Sequence, residues 1–152
     1  MVEYLDIEFI ELGPDFLKAK MPVTPKAVQP LRMLNGGASL ALAECVGSMA
    51  ANLVFERQQW VALGLDLNGN HLRPVMEGEM VYAIAKPHHI GNTTQVWEIK
   101  IENEINNHNA GKPSGIRFKL NSLLDEEIIE AAKFAEIDQF INSLENKYNT
   151  TV

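Results

Sequence analysis

Residues 34–55 read LNGGASLALAECVGSMAANLVF, and this stretch decides the fold. From Ala38 to Phe55 it has no proline, many alanines and apolar residues on nearly every side of a 3.6-residue period. A helix that is apolar all round is buried inside a domain rather than laid on its surface. About 17 residues at 1.5 Å each span roughly 25 Å, the width of a small sheet. Asn35, just ahead, is a good N-cap residue. Gly36 and Gly37 carry no Cβ, so a ligand could come close to the free N–H groups at the helix terminus.

The segments around this helix read as strands. Leu5–Glu11 and Phe16–Pro22 alternate about Gly13-Pro14-Asp15, the pattern of a β-hairpin. Pro25 and Pro30 exclude a long helix in the stretch that follows. After the helix come β-rich runs at Trp60–His71, Glu79–Lys86 and Thr93–Glu104, then Gly115–Asn121 beyond a polar loop. A hairpin, one buried helix and four further strands predict an α+β domain whose sheet wraps the helix. Ser122 and Asp125 then resemble a helix start. Beyond them Phe134, Ile137, Ile141, Leu144 and Tyr148 make one apolar stripe on an acidic helix. This helix is expected to pack outside the domain, with a partner-binding or oligomer role as the alternative.

A chain of 152 residues with 46% hydrophobic and 22% charged residues suits one globular domain. Of the net charge of −7, most lies at the end, where residues 124–152 hold 7 acids against 2 bases. No basic stripe is present for nucleic acid. No apolar run is long enough to span a membrane, and MVEYLDIEFIELG is too acidic for a signal peptide. With one cysteine and no internal disulfide framework, the expected location is the cytoplasm.

Glu44 is the one charged residue between Asn35 and Phe55. A carboxylate inside a buried helix costs several kcal/mol unless it is paired or protonated. The residues alone leave two roles open: a structural partner of Arg57, Arg73 or Arg117, or a chemical group. The helix terminus tips the balance, because it favours negative charge such as an oxyanion forming on a carbonyl. Eight residues separate Gly36 from Glu44, roughly 12 Å along the axis and too far for one reacting atom. Two antiparallel copies of the helix would bring Glu44 of one copy to the glycine terminus of the other.

The segments QPLRMLNGGASLALAECVGSMA (29–50) and NHLRPVMEGEMVYAIAKPHHIGNTTQVWEIKI (70–101) carry a family likeness. The chain resembles the hotdog acyl-CoA thioesterases of the phenylacetate-pathway and 1,4-dihydroxy-2-naphthoyl-CoA type, over about residues 5–120. The resemblance implies a hotdog fold, a curved antiparallel sheet of five or six strands around the helix at about 38–55. The expected hotdog domain is 1–122, with an appended C-terminal helix at about 124–147 in a tail of 123–152. It implies hydrolysis of an aromatic or medium-chain acyl-CoA by a homodimer or homotetramer, with coenzyme A as part of the substrate and no cofactor.

The resemblance also implies residue roles. Glu44 would be nucleophile or general base, the Gly36 N–H the oxyanion donor, with Gly37 beside it, and Gln29 would orient the thioester or water. Ser48, one turn beyond Glu44 on the same face, would line the acyl or catalytic pocket. His71 and Arg73 match positions at the nucleotide end of coenzyme A, and His89, Gly91 and Asn92 a loop along its pantetheine or phosphates. Relatives usually have histidine where this chain has Asn35, which can cap the helix and bond a carbonyl but not carry a proton. A second departure is Asn92, where relatives often have a basic residue.

Other candidates are weaker. Cys45 should face away from Glu44, and His88-His89 on one strand point to opposite faces, so no metal site is expected. Trp60 and Trp97 read as strand core or interface residues. Two other functions stay open: a non-catalytic acyl-CoA or aromatic-acid binding protein, or another hotdog acyl-CoA enzyme such as a hydratase. The hydratases use an Asp/His pair that does not occur around this helix.

Overall fold

The computed structural model describes residues 1–54, 61–103 and 116–125. Six strands, β1 (Glu8–Leu12), β2 (Leu17–Pro22), β3 (Val61–His71), β4 (Met80–Ile90), β5 (Thr94–Asn103) and β6 (Ile116–Asp125), surround one helix, α1 (Gly36–Leu53). They form one antiparallel sheet in the order β1-β2-β4-β5-β6-β3. This is the sheet around one helix that the order of elements predicts, and the hotdog arrangement that the resemblance implies.

The core forms where alternation meets the helix. Ala83 and Ala85 on β4, Trp97, Ile99 and Ile101 on β5 and Leu120 on β6 turn inward, all fully or almost fully buried. Leu42, Ala43, Val46, Met49, Ala50 and Ala51 of α1 are buried with them. Small residues on both surfaces let helix and sheet approach closely, and burying each large side chain contributes roughly 1.5–3 kcal/mol. The Trp97 indole donates to Gln95 Oε1 at 2.7 Å, so neither buried polar group lacks a partner. Trp97 is thus a core residue, while Trp60 lies outside the described residues.

The register gives the sheet two distinct ends. Gly64, Ser122, Gln95 and Ile90 pair in one row across β3, β6, β5 and β4. His71, Ile116, Ile101 and Ala83 pair in another row at the opposite end. β3 is last in the sheet, so among the described residues its outer edge has no neighbouring strand.

Three strand boundaries differ from the sequence expectation by three residues or more. β1 begins at Glu8 rather than Leu5, because residues 2–6 form a turn with Asp6 in the left-handed region. β4 continues past Lys86 to Ile90, with a register shift between Pro87 and His89 that accommodates the missing proline N–H. β6 continues through the expected helix start: Ser122 pairs with Gly64 and Asp125 with Val61. Pairing with β3 outweighs the local capping pattern, and the expected 122/123 domain boundary falls within a strand. Residues 126–152, where the acidic helix was expected, lie outside the described residues. Among the described residues no helix is long and apolar enough to cross a membrane.

Candidate active site

One end of α1 opens on a cleft of about 370 Å³. Gln29, Gly36, His71 and Arg73 line it together with Met33 and Ile116. Asn35 caps the helix as the sequence predicts: with extended backbone (φ −69°, ψ 136°), its Oδ1 accepts from the Gly37 N–H at 2.7 Å. That cap takes the second N–H of the helix and leaves the first, on Gly36, with no acceptor among the described residues. Gly37 is therefore a cap partner, and Gly36 is the terminus that faces the cleft. Replacing Asn35 by alanine should lower unfolding free energy by about 1 kcal/mol, measured by urea titration, while Asn35→Asp keeps most of it.

Gln29 is held by a tight turn. Its N–H donates to Met33 O, its carbonyl accepts from Arg32 N–H, and its Oε1 accepts from Leu31 N–H at 2.7 Å. With that oxygen engaged, the side-chain amide nitrogen is left to donate. Arg32 sits in the left-handed region at φ 62°, fastened by a bidentate pair to Glu77 and by the Glu77 N–H on its carbonyl. His71, at the end of β3, lies against Gly36, and its Nε2 is 2.7 Å from Ser39 Oγ. Ser39 is fully buried and donates to the Gly36 carbonyl, so the imidazole Nε2–H donates to Ser39. Arg73 is exposed and has no carboxylate partner among the described residues. In a largely apolar lining the cleft thus offers the Gly36 N–H, the Gln29 amide and one cation, Arg73, a setting for an oxyanion or a phosphate.

Glu44 does not line this cleft. It lies half-buried near the other end of β3, where Ser48 Oγ donates to its Oε1 at 2.8 Å. Among the described residues it forms no ion pair; Arg73 belongs to the opposite end, and Arg57 and the Arg117 side chain lie outside them. Two turns beyond Glu44, Asn52 grips β3 by both functions, its Oδ1 accepting from Ala62 N–H and its Nδ2 donating to Ala62 O, each at 2.9 Å. The carboxylate side of the helix is therefore laid against Gly64.

His89 pairs with Val96 one place before the row of the sheet that contains Gly64, and Gly91 and Asn92 lie just beyond that row at the tip of the β4–β5 hairpin, closed by Gly91 N–H on Thr94 O. Within one protomer they are at the end opposite His71 and Arg73, so the structure does not bring the two expected coenzyme A contacts together. Cys45, beside Glu44, is half-buried, and its thiol is raised above its ordinary value. Burial is the main cause; the chain's N-terminal charge opposes it and the Glu44 carboxylate adds to it. That makes it a poor nucleophile. Among the described residues no group of three His, Cys, Asp or Glu side chains could hold a metal ion.

Three contributors escape a linear reading: Gly64, Asn52 and Ser39. An isolated glycine in a strand pattern is a signal for close approach and would have flagged Gly64. Asn52, eight residues after Glu44, stands out as a polar residue on the same face; nothing distinguishes Ser39.

Residues 31–108 match the family model of the thioesterase superfamily. The chain belongs to that superfamily. It is 47% identical over 104 residues to the 1,4-dihydroxy-2-naphthoyl-CoA hydrolase of Escherichia coli, covering 68% of this chain and 75% of that one. It is 44% identical over 104 residues to the proofreading thioesterase EntH of Cronobacter turicensis, covering 68% and 74%. Among solved structures, a thioesterase from Haemophilus influenzae superposes with a TM-score of 0.74 at 40% identity, covering 82% of each chain. This member of the thioesterase superfamily is thus an enzyme, a thioester hydrolase, and the resemblance in its sequence is borne out.

Proposed function

We propose that this thioesterase hydrolyses acyl-CoA, with aromatic or medium-chain acyl groups, in a centre shared between two copies of the chain. One observation carries the reading: a lone carboxylate, Glu44, and a donor-lined cleft at Gly36 stand at opposite ends of the open-edged strand β3. Antiparallel pairing of β3 with its copy, centred midway between Gly64 and His71, sets Glu44 beside the partner subunit's Gly36. The same two-fold brings the hairpin tip His89–Asn92 towards His71 and Arg73 of the partner subunit, uniting groups that one protomer keeps apart. Closed two-fold dimers are the commonest assembly, and a long open edge favours one. Two such dimers would make the tetramer.

In this centre Glu44 attacks the thioester carbonyl, or removes a proton from a water that attacks it. The tetrahedral oxyanion accepts hydrogen bonds from the partner subunit's Gly36 N–H and Gln29 amide. Collapse breaks the C–S bond, and the coenzyme A thiolate leaves and takes up a proton; along the first route water then cleaves the acyl–Glu44 anhydride. Ser48 holds the carboxylate and Asn35 holds the helix terminus, with its own amide nitrogen left to donate. Arg73 and the hairpin tip take the phosphates of coenzyme A, which enters as substrate, with no further cofactor; His71, whose ring packs on Gly36, stands at the thioester end instead.

A panel of acyl-CoA esters with a free-thiol readout tests the reading. The 47% identical relative acts on an aromatic acyl-CoA, and aromatic esters should likewise give the highest kcat/KM here. Binding of the esters with no thiol released from any of them would sink the proposal.

A further inference from the structure

Glu44 reaches its position without a cation among the described residues, and the strand it lies against supplies a second brace. An ideal Cβ placed on Gly64 would stand 3.1 Å from the Glu44 carboxylate carbon, 3.2 Å from Oε2 and closer still to Oε1. The approach to Oε1 is closer than real Cβ atoms show, and the other two are tighter than most, so the carboxylate would have to move. Gly64 is not in the left-handed region, so backbone freedom does not require a glycine here; space does. The pairing of β3 with β6 shifts register between Gly64 and Asp66, so an extra residue follows the glycine and the strand bends locally. The bare strand backbone therefore faces Glu44 where its Oε1 accepts from Ser48.

We propose that Gly64 is a positioning residue for the reaction: its missing side chain is the slot in which the Glu44 carboxylate lies, and Ser48 and the bulged strand fix its direction from two sides. The inference rests on Glu44 as the catalytic carboxylate. A methyl group at Gly64 displaces that carboxylate by roughly an ångström, enough to misalign an attack on a carbonyl. It leaves the donor-lined cleft at the other end of β3 untouched, so substrate binding survives.

The test is steady-state hydrolysis of an aromatic acyl-CoA by Gly64→Ala, Glu44→Asp, the double variant and Glu44→Gln, with dimer content checked by gel filtration. Gly64→Ala should lower kcat about a hundredfold with KM changed by less than about threefold. Aspartate withdraws the carboxylate by one C–C bond, about 1.5 Å, out of reach of the new methyl. The double variant should therefore be no slower than Glu44→Asp alone, the two losses failing to multiply. Losses that multiply independently, or Gly64→Ala working within about threefold of the unaltered enzyme while Glu44→Gln is inactive, overturn the positioning role and leave the carboxylate assignment standing. An active Glu44→Gln overturns both. If Gly64→Ala does not fold, removing the crowded carboxylate with Glu44→Ala should restore its melting transition; a double variant that stays unfolded also overturns the proposal.

Discussion

Replacing Glu44 by glutamine should lower the rate of thioester hydrolysis by more than about a hundredfold and leave the folded state intact. Glutamine matches glutamate in shape, and its side-chain carbonyl can still accept from the Ser48 hydroxyl that now donates to Oε1. What it loses is the charge that attacks a carbonyl or takes a proton from water. Stability should hold, since among the described residues no cation is left unpaired by the change. Thermal melting and a free-thiol assay on the same preparation check both halves. Near-normal turnover would remove Glu44 from the chemistry and return it to the structural role that its sequence left open.

Gly36→Pro should be almost as damaging, because it exchanges the N–H that faces the cleft for a ring carbon. Proline is favoured at the first position of a helix, and Asn35 already has the extended backbone that a residue before proline needs. A Cβ on Gly36 would stand 3.4 Å from the His71 ring, an ordinary contact. The substitution therefore removes the N–H aimed at the cleft and puts the ring Cδ in its place, so the oxyanion both loses a donor and meets a methylene. Loss of one oxyanion donor costs about 10²–10³ in kcat. Unfolding and reassembling an equal mixture of Gly36→Pro and Glu44→Gln chains then asks where the centre lies. Each hybrid dimer regains one intact centre if the site is shared, so activity should recover to about a quarter of the unaltered enzyme. A mixture as inactive as its parents would place both groups in one protomer and refute the shared centre.

How much of this the sequence discloses depends on the range of each interaction. The helix was legible because apolar residues cover nearly every side of it, and Glu44 because it breaks that pattern; within the protomer, though, the face that carries Leu40, Ala41, Glu44 and Ser48 stays exposed or half-buried. Asn35 as the cap was equally plain, since capping acts within two residues. The end of β6 was not, because Ser122 and Asp125 carry a local helix-start signal that pairing with Gly64 and Val61 overrides. The layout of the candidate site was the least legible part. His71 was expected at the nucleotide end of coenzyme A, yet within the protomer its ring packs on Gly36, and which row of the sheet holds it follows from strand register. The slot at Gly64 depends on a helix and a strand meeting across twenty residues of chain, which no local pattern encodes.

The grip of Asn52 on Ala62 has a consequence for how this enzyme can change over generations. Two hydrogen bonds fasten the end of α1 to the start of β3 directly, bypassing the connection between them. Glu44 is thus kept on Gly64 by bonds that do not run along the connecting chain. Over generations Asn52 is the residue whose loss would put the carboxylate out of register.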